Sequence, residues 1–309
     1  MMTSRSEKAG AASNQKFRCW QVGKVKITKI VEAESLFDIP SAFPKASEEE
    51  VRALDWLHPH FVTPDWQGKM SIHALVVETP QLRILVDTCI GNDRNRLDFE
   101  PGSNLHTSFI RDFEAAGFTR ESIDVVLCTH LHFDHVGWNT MQVDGEWVPT
   151  FPNARYLFNT VEYDHWLAAH DTVSEGMFQQ VQNMTFIDSI KPVVEAGLVD
   201  LVDEHHRVCD EIRFEPSPGH SPGHVCVRIS SEGQQGYITG DILHHPAQFA
   251  NVEWGMASVD FDSDAATATR ERVFGEVADT QVLVIGTHFA GPTAGKVKRD
   301  GSAYRFDAD

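Results

Sequence analysis

The 309-residue chain is short of positive charge, of cysteine and of long apolar runs, and each shortage removes a class of function. Lysine and arginine number 26 against 45 aspartates and glutamates, a formal net charge of −19. Nucleic acid and anionic membrane both require a basic face, so neither is expected as a partner. The five cysteines (Cys19, Cys89, Cys128, Cys209, Cys226) are odd in number and lack ligand-like spacing, and three of them sit in or beside apolar runs. Buried, reduced thiols in a reducing cytoplasm are the expectation. No stretch approaches the length of a membrane span, and residues 1–15 are Ser/Ala-rich with no apolar segment of signal-peptide length. These residues read as a disordered leader before a single domain over 16–309.

Histidine, by contrast, is abundant, with 16 residues, and clustered. Residues 129–137 read T-H-L-H-F-D-H-V-G and place His130, His132, Asp134 and His135 within six positions. They follow residues 123–128 (I-D-V-V-L-C), an apolar run short enough to be a fully buried strand. In an extended segment side chains alternate faces, so His130, His132 and Asp134 point one way, and a turn beginning near Phe133 swings His135 in beside them. Imidazole and carboxylate suit zinc, iron, manganese or cobalt, and no thiolate narrows the choice. A lone histidine is ordinarily a surface or hydrogen-bonded core residue. Here the placement recurs: S-P-G-H-S-P-G-H over 217–224, G-D at 240–241 after the strand-like 236–239, and T-H at 287–288 after the strand-like 282–285. The expectation is one metal site gathered from four places, and therefore one core.

Elsewhere the pattern alternates strands and helices. Residues 17–30 alternate as a half-buried strand, and 71–78 with 82–87 read as paired strands around Thr79-Pro80. Ser47 with Glu50 forms a capping-box pattern opening a helix over 47–57, and 36–44 is a loop by its prolines. The rings of Trp56, Phe61 and Trp66 either wall a pocket or pack that helix onto a sheet. Residues 106–116 are an amphipathic helix stopped by Gly117, 138–151 a hairpin around Asp144-Gly145, and 159–190 a mostly helical stretch. Short strands follow over 198–203, 211–215, 225–229 and 236–239, then a helix over 262–278 and a strand over 282–286.

The H-x-H-x-D-H core, the later P-G-H, the G-D after a strand and the final His after another strand resemble, in this order, the metallo-β-lactamase-fold hydrolases. The likeness covers about residues 70–290. Within that superfamily D-T-C-I-G-N-D (87–93), F-P-N-A (151–154) and G-D-I-L-H-H-P-A-Q-F (240–249) are most similar to the branch holding methyl parathion hydrolase and the N-acyl homoserine lactonases. The resemblance implies an α/β fold, an αββα sandwich of two mixed β-sheets flanked by helices. It implies two divalent metal ions, zinc foremost with manganese, iron or cobalt as alternatives. His130, His132 and His220 would hold one ion, Asp134, His135 and His288 the other, and Asp241 would bridge them, while His224 takes a structural role. Asp87 would hydrogen-bond a ligand histidine and fix its tautomer. Two nearby dications give a bridging hydroxide at neutral pH and polarise a carbonyl or phosphoryl oxygen, and Asp134 is placed to pass a proton to the leaving group.

One departure stands out. The homoserine lactonases carry a tyrosine three residues after the bridging Asp that stabilises the developing oxyanion, and this chain has His244 there. His244 is the candidate for that task, its neighbour His245 is a second pocket candidate, and the sequence leaves open which of them faces the metals. Trp166 and Phe178, in the stretch where related hydrolases lend aromatic side chains to the substrate pocket, are further candidates. The implied activity is cleavage of an ester, lactone or organophosphate triester bond in a small, largely apolar molecule, with a homodimer unsurprising. The runner-up is a thioester hydrolase resembling glyoxalase II, with Lys296, Lys298 and Arg299 binding an anionic tail. A β-lactamase, disfavoured by Asp rather than Cys at the bridging position, and a non-hydrolytic diiron protein stand behind it.

Overall fold

Apolar residues occupy both faces of the central strands, as a sheet covered on two sides requires. Ala74 and Val76 face one way and Leu75 and Val77 the other; Leu85 and Val126 likewise oppose Ile84, Val86, Val125 and Leu127. The computed structural model describes residues 17–97, 102–171, 173–256 and 259–308, so the expected leader lies outside the described residues.

The first sheet has seven strands. In chain order β1 (Cys19–Val22), β2 (Val25–Phe37), β3 (Gly68–Glu78), β4 (Arg83–Val86) and β5 (Val125–Leu127) are followed by a separate hairpin, β6 (Thr140–Val143) with β7 (Glu146–Pro149), and then β8 (Arg155–Asn159) and β9 (Val199–Val202). The spatial order is β1-β2-β3-β4-β5-β8-β9, antiparallel as far as β4 and parallel from β4 onward. The second sheet runs β10 (Ile212–Pro216), β11 (Val225–Ser231), β12 (Gln234–Ile238), β13 (Leu283–Ile285), β14 (Ala294–Asp300) and β15 (Ala303–Asp307), with β12 and β13 parallel. The helices are α1 (Ile39–Ala42), α2 (Glu48–Arg52), α3 (Phe109–Ala115), α4 (Thr160–Ala169), α5 (Met177–Thr185), α6 (Lys191–Glu195) and α7 (Ser263–Val277).

Three apolar clusters define the layers. Between the sheets, Ile27, Leu75, Ile84 and Leu127 meet Phe214, Val227, Ile238 and Ile285. Outside the first sheet, Phe109 and Phe113 of α3 and Trp166 of α4 pack on Val76, Leu85 and Val126. Outside the second, Val273 and Phe274 of α7 pack on Tyr237 and Val284. This is the expected αββα sandwich of two mixed sheets.

Local readings shift at their edges. The strand expected over 17–30 is a hairpin turned at Gly23, whose second arm runs on to Phe37 through part of the expected loop. The helix expected over 47–57 keeps its Ser47–Glu50 capping box but is short, with a 3-10 turn over Asp55–Leu57 completing it. Phe61 lies in the second outer core with Trp56 and Trp66 against it, so these rings pack rather than wall the site. Among the described residues no helix is long and apolar enough to cross a membrane, and all five cysteines are free thiols.

The helical stretch after β8 is anchored by a buried charge cluster. Asp188, in the π-helical turn Phe186–Ile190 between α5 and α6, receives Arg94 Nη1 on Oδ1 at 2.8 Å and Arg96 Nη1 and Nη2 at 2.6 and 2.9 Å. Both guanidinium groups are fully buried, and Arg94 also donates to the Thr140 carbonyl at 2.8 Å. Removing the carboxylate strands two buried cations, so Asp188→Ala is expected to cost about 3–5 kcal/mol in urea unfolding. A change below about 1 kcal/mol, the range of exposed pairs, would contradict the clamp.

Candidate metal centre

The parallel strands end at one edge of the sandwich, where the polar residues gather. Asp87 follows β4, the His130–His135 motif follows β5, Asp241 follows β12 and His288 follows β13, while His220 comes from the loop between β10 and β11. Two glycines make these turns possible. Gly240 has φ +51°, and a Cβ there would lie 2.4 Å from His224 Nε2; Gly219 has φ +134°, and its Cβ would lie 2.2 Å from the Ala266 amide nitrogen. Asp241 then takes φ −103° and ψ 27°, in the sparsely populated bridge region.

The side chains converge on one oxygen. Asp241 Oδ2 lies 3.1 Å from Nε2 of both His135 and His288, 3.2 Å from His244 Nε2, 3.5 Å from His220 Nε2 and 3.8 Å from His130 Nε2. His220 Nε2 and His132 Nδ1 are 3.0 Å apart, and Asp134 approaches Nε2 of His135 and His288 at 3.6 Å. Two groups of donor atoms, His130/His132/His220 and Asp134/His135/His288, each lie within 4.8 Å of one another, and Asp241 joins His130 and His135 in a third.

The hydrogen bonds behind the rings fix their tautomers. His135 Nδ1 donates to Asp87 Oδ2 at 2.9 Å, His220 Nδ1 to Asp260 Oδ1 at 3.1 Å, and His288 Nδ1 to the Ser71 carbonyl at 3.3 Å. The Thr129 hydroxyl donates to Asp87 Oδ2 at 2.9 Å, so it accepts from His130 Nδ1 at 3.1 Å. In the neutral form each of these four imidazoles therefore turns the lone pair of Nε2 toward a carboxylate oxygen. Such an arrangement is repulsive unless positive charge sits among the atoms. His130 Nε2 and Asp241 Oδ1 are also buried without a hydrogen-bond partner. The donor set fits two divalent cations.

Electrostatics agree. Burial opposes protonation of His135, yet the carboxylates of Asp241, Asp134 and Asp87 outweigh it and hold the imidazole well above its usual value. His288 is raised in the same way by Asp241 and Asp134 against the cost of burial. Burial pushes the Asp241 carboxyl up, but His135, His288 and His244 prevail and hold it well below. Burial, followed by neighbouring imidazoles, pushes His130 and His132 well below their usual value. Protons on His135 and His288 thus supply the positive charge that a cation otherwise brings.

Among the sequence candidates, Phe178 lines the cavity above this cluster and meets the His132 ring edge-on at 5.1 Å. Trp166 stands behind His132 at 5.6 Å, buried, and does not line the cavity. His244 faces the cluster. His245 does not, which corrects its reading as a pocket residue: its Nδ1 caps the turn Pro246–Ala250, its Nε2 donates to the Phe61 carbonyl at 2.8 Å, and its ring packs on Phe37 and Phe61. The extended backbone at His245 turns it away from its neighbour. His224 accepts the Asp241 amide on Nε2 at 2.8 Å and is structural. Sequence reading missed Asp260, which lies in a loop without a motif, and Glu162, a carboxylate inside an otherwise apolar stripe whose partner Trp166 sits at i+4.

The cavity has a volume of about 610 Å³. Leu36, Phe37, Ile72, Ile90, Phe133 and Met256 contribute to its walls, and His132, Asp134, His220, Asp241, His244 and His288 line its polar side.

Comparison with known proteins bears on this geometry. An N-acyl homoserine lactonase of Bacillus cereus is 22% identical over 240 residues, covering 74% of this chain and 84% of the relative. The N-acyl homoserine lactonase AiiA of Bacillus thuringiensis subsp. kurstaki is 20% identical over 242 residues with the same coverage. Among solved structures, AidC, a dizinc quorum-quenching lactonase in complex with the product N-hexanoyl-L-homoserine, aligns with a TM-score of 0.77 at 22% identity over 95% of this chain and 97% of its own. The hydrolase AbOPH, described as in the beta lactamase superfamily, aligns at 0.78 and 24% with the same coverage. These likenesses show a shared fold, and the family profile of the metallo-beta-lactamase superfamily matches residues 68–288. That span carries every residue of the cluster, and the chain belongs to the metallo-beta-lactamase superfamily as a hydrolase of its fold.

Proposed function

We propose that this chain is a binuclear metal-dependent hydrolase that cleaves the ester bond of small, uncharged, largely apolar substrates, with N-acyl homoserine lactones first and open-chain esters and organophosphate triesters next. The observation that carries the reading is a contrast within one cavity: apolar walls, a cluster of imidazoles and carboxylates along one side, and no lysine or arginine among its described lining residues. Such a site favours an acyl chain and offers nothing to an anionic tail. Lys296, on β14, donates to Gln281 and Arg299 pairs with Asp279, and neither they nor Lys298 line the cavity, so the thioester reading gains no support. The lactonase names of the curated relatives and the N-hexanoyl-L-homoserine in AidC favour lactones among the candidates.

In this reading His130, His132 and His220 would hold one ion and Asp134, His135 and His288 the other, with Asp241 within reach of both groups; zinc is the first choice, the neighbour AidC being a dizinc enzyme. What such a pair supplies is a water acidic enough to ionise near neutral pH and polarisation of the carbonyl or phosphoryl oxygen. The chain does the rest. Its apolar walls hold the acyl chain and exclude water. Asp134, whose side chain is partly exposed at the cavity, takes up a proton and returns it to the leaving oxygen. The His244 imidazole, beside Asp241 and facing the cavity, donates to the oxygen on which charge develops.

Three outcomes are expected. Purified protein holds about two metal ions per chain and turns over a lactone, ester or triester from a panel that includes S-lactoylglutathione and a cephalosporin; chelation abolishes turnover and metal restores it, and Asp241→Asn or His132→Ala lowers it by orders of magnitude with the fold intact. Activity in metal-free protein would sink the reading. Because His135 and His288 are raised, they hold protons that an ion must displace, and this competition is lost as pH rises. Zn²⁺ titrated into stripped protein should therefore bind more weakly at pH 6 than at pH 8 and release protons, whereas an affinity independent of pH would contradict the assignment. His244→Phe should lower kcat on lactones by about 10²-fold while both metals remain, and an unchanged kcat would return His244 to a structural role.

A further inference from the structure

Glu162 is a fully buried carboxylate on α4 that takes no part in the chemistry described above. Its two oxygens accept four hydrogen bonds. Oε1 receives the Leu131 amide at 3.1 Å and Trp166 Nε1 at 2.7 Å; Oε2 receives the Ser221 hydroxyl at 2.8 Å and the Gly223 amide at 2.9 Å. Leu131 lies between His130 and His132, and Ser221 follows His220. One side chain therefore ties together the two loops that carry these three histidines. The contact is tight: a Cβ on Gly223 would lie 2.3 Å from the Glu162 amide nitrogen. Gln182 of α5 completes the hold on the first loop, accepting the Phe133 amide at 2.9 Å and donating to the Leu131 carbonyl at 3.2 Å.

We infer that Glu162 is a positioning residue of the metal centre, setting the register between the His130–His132 loop and the His220 loop and so the affinity of the ion these three histidines share. The inference rests on their proposed role as ligands. It assigns nothing to the other triad, since Asp134, His135 and His288 make no contact with Glu162 among the described hydrogen bonds and ion pairs. The two ions should thus respond differently to changes at α4. Trp166, behind His132, acts in the same assembly as a donor to Glu162 rather than as a wall of the substrate cavity.

The chemistry of the carboxylate makes the test sharp. Of its four donors only the Ser221 hydroxyl can turn and accept. In Glu162→Gln the amide oxygen can replace one carboxylate oxygen, and its NH₂ is best placed against Ser221 and Gly223, leaving the Gly223 amide facing another donor. Facing Leu131 and Trp166 instead would oppose two donors that cannot turn. The substitution therefore loosens the His220 loop and spares the motif loop. Ser221→Ala removes one of the four bonds without altering Glu162.

The experiment is a titration of the metal-stripped full chain with Zn²⁺ by calorimetry, with thermal unfolding of the zinc-loaded and stripped forms. The wild-type chain is expected to take two ions. In Glu162→Gln one of the two should bind about 10–100-fold more weakly while the other stays close to wild type, and Ser221→Ala should show the same selective change to a smaller degree. Two unaltered affinities in both variants would overturn the positioning role while leaving the ligand assignment standing. Equal loss of both ions with a lowered stripped-form melting temperature would also overturn it, because Glu162 would then merely support the fold. A wild-type chain that binds no zinc would instead remove the ligand assignment.

Discussion

The polar edge of the sandwich depends on one electrostatic constraint: in their neutral forms four imidazoles would aim lone pairs at the carboxylate of Asp241, so the arrangement holds only with positive charge among them, from protons on His135 and His288 or from cations. Each ring is committed from behind. Asp87, with φ +56°, accepts from His135 directly and reaches His130 through Thr129, so a single left-handed residue after β4 sets two tautomers. Asp260 and the Ser71 carbonyl do the same for His220 and His288. These four rings are thus oriented toward Asp241 by bonds on their far side, as carboxylate–histidine pairs orient metal ligands in general.

The fold supplies this edge through its parallel strands. β4, β5, β12 and β13 carry the functional turns at their carboxyl ends, and the inter-sheet core of Leu75, Leu127, Ile238 and Ile285 holds the two sheets in register. Loops that would otherwise wander are fastened by buried polar side chains. Glu162 and Gln182 bind the histidine loop, and Asp188 binds Arg94 and Arg96 to the helical segment that carries Phe178 into the cavity. Polar groups buried at such positions are expensive unless fully satisfied, and here nearly every one of them spans two elements.

Much of this was legible in the sequence because the proposed ligands lie within short-range patterns. The short apolar run before Thr129, the Pro-Gly turns around His220 and the strand before Gly240-Asp241 each tie a side chain to a local structure that sequence specifies. The sandwich followed from the resemblance that those motifs carry. Less legible were positions set by tertiary contacts. His244 and His245 are adjacent and chemically identical, and only the extended backbone and the capped turn at Pro246 separate their fates. Trp166 looked like a pocket ring because an apolar stripe cannot show which neighbour its indole nitrogen meets. Asp260 and Glu162 are invisible to motif reading: Asp260 meets His220 40 positions away, and Glu162 meets Leu131, Ser221 and Gly223 31 or more positions away, while the nearer partners Arg270 and Trp166 carry no motif.

The central claim is that two divalent ions occupy this cluster. Anomalous diffraction at the zinc edge from crystals of the zinc-loaded protein tests it most directly. Two peaks are expected, one at about 2.0–2.1 Å from ring nitrogens of His130, His132 and His220 and one at a similar distance from those of His135 and His288, with Asp241 between. A single peak, or zinc bound elsewhere on the surface with this cluster lacking it, would contradict the account.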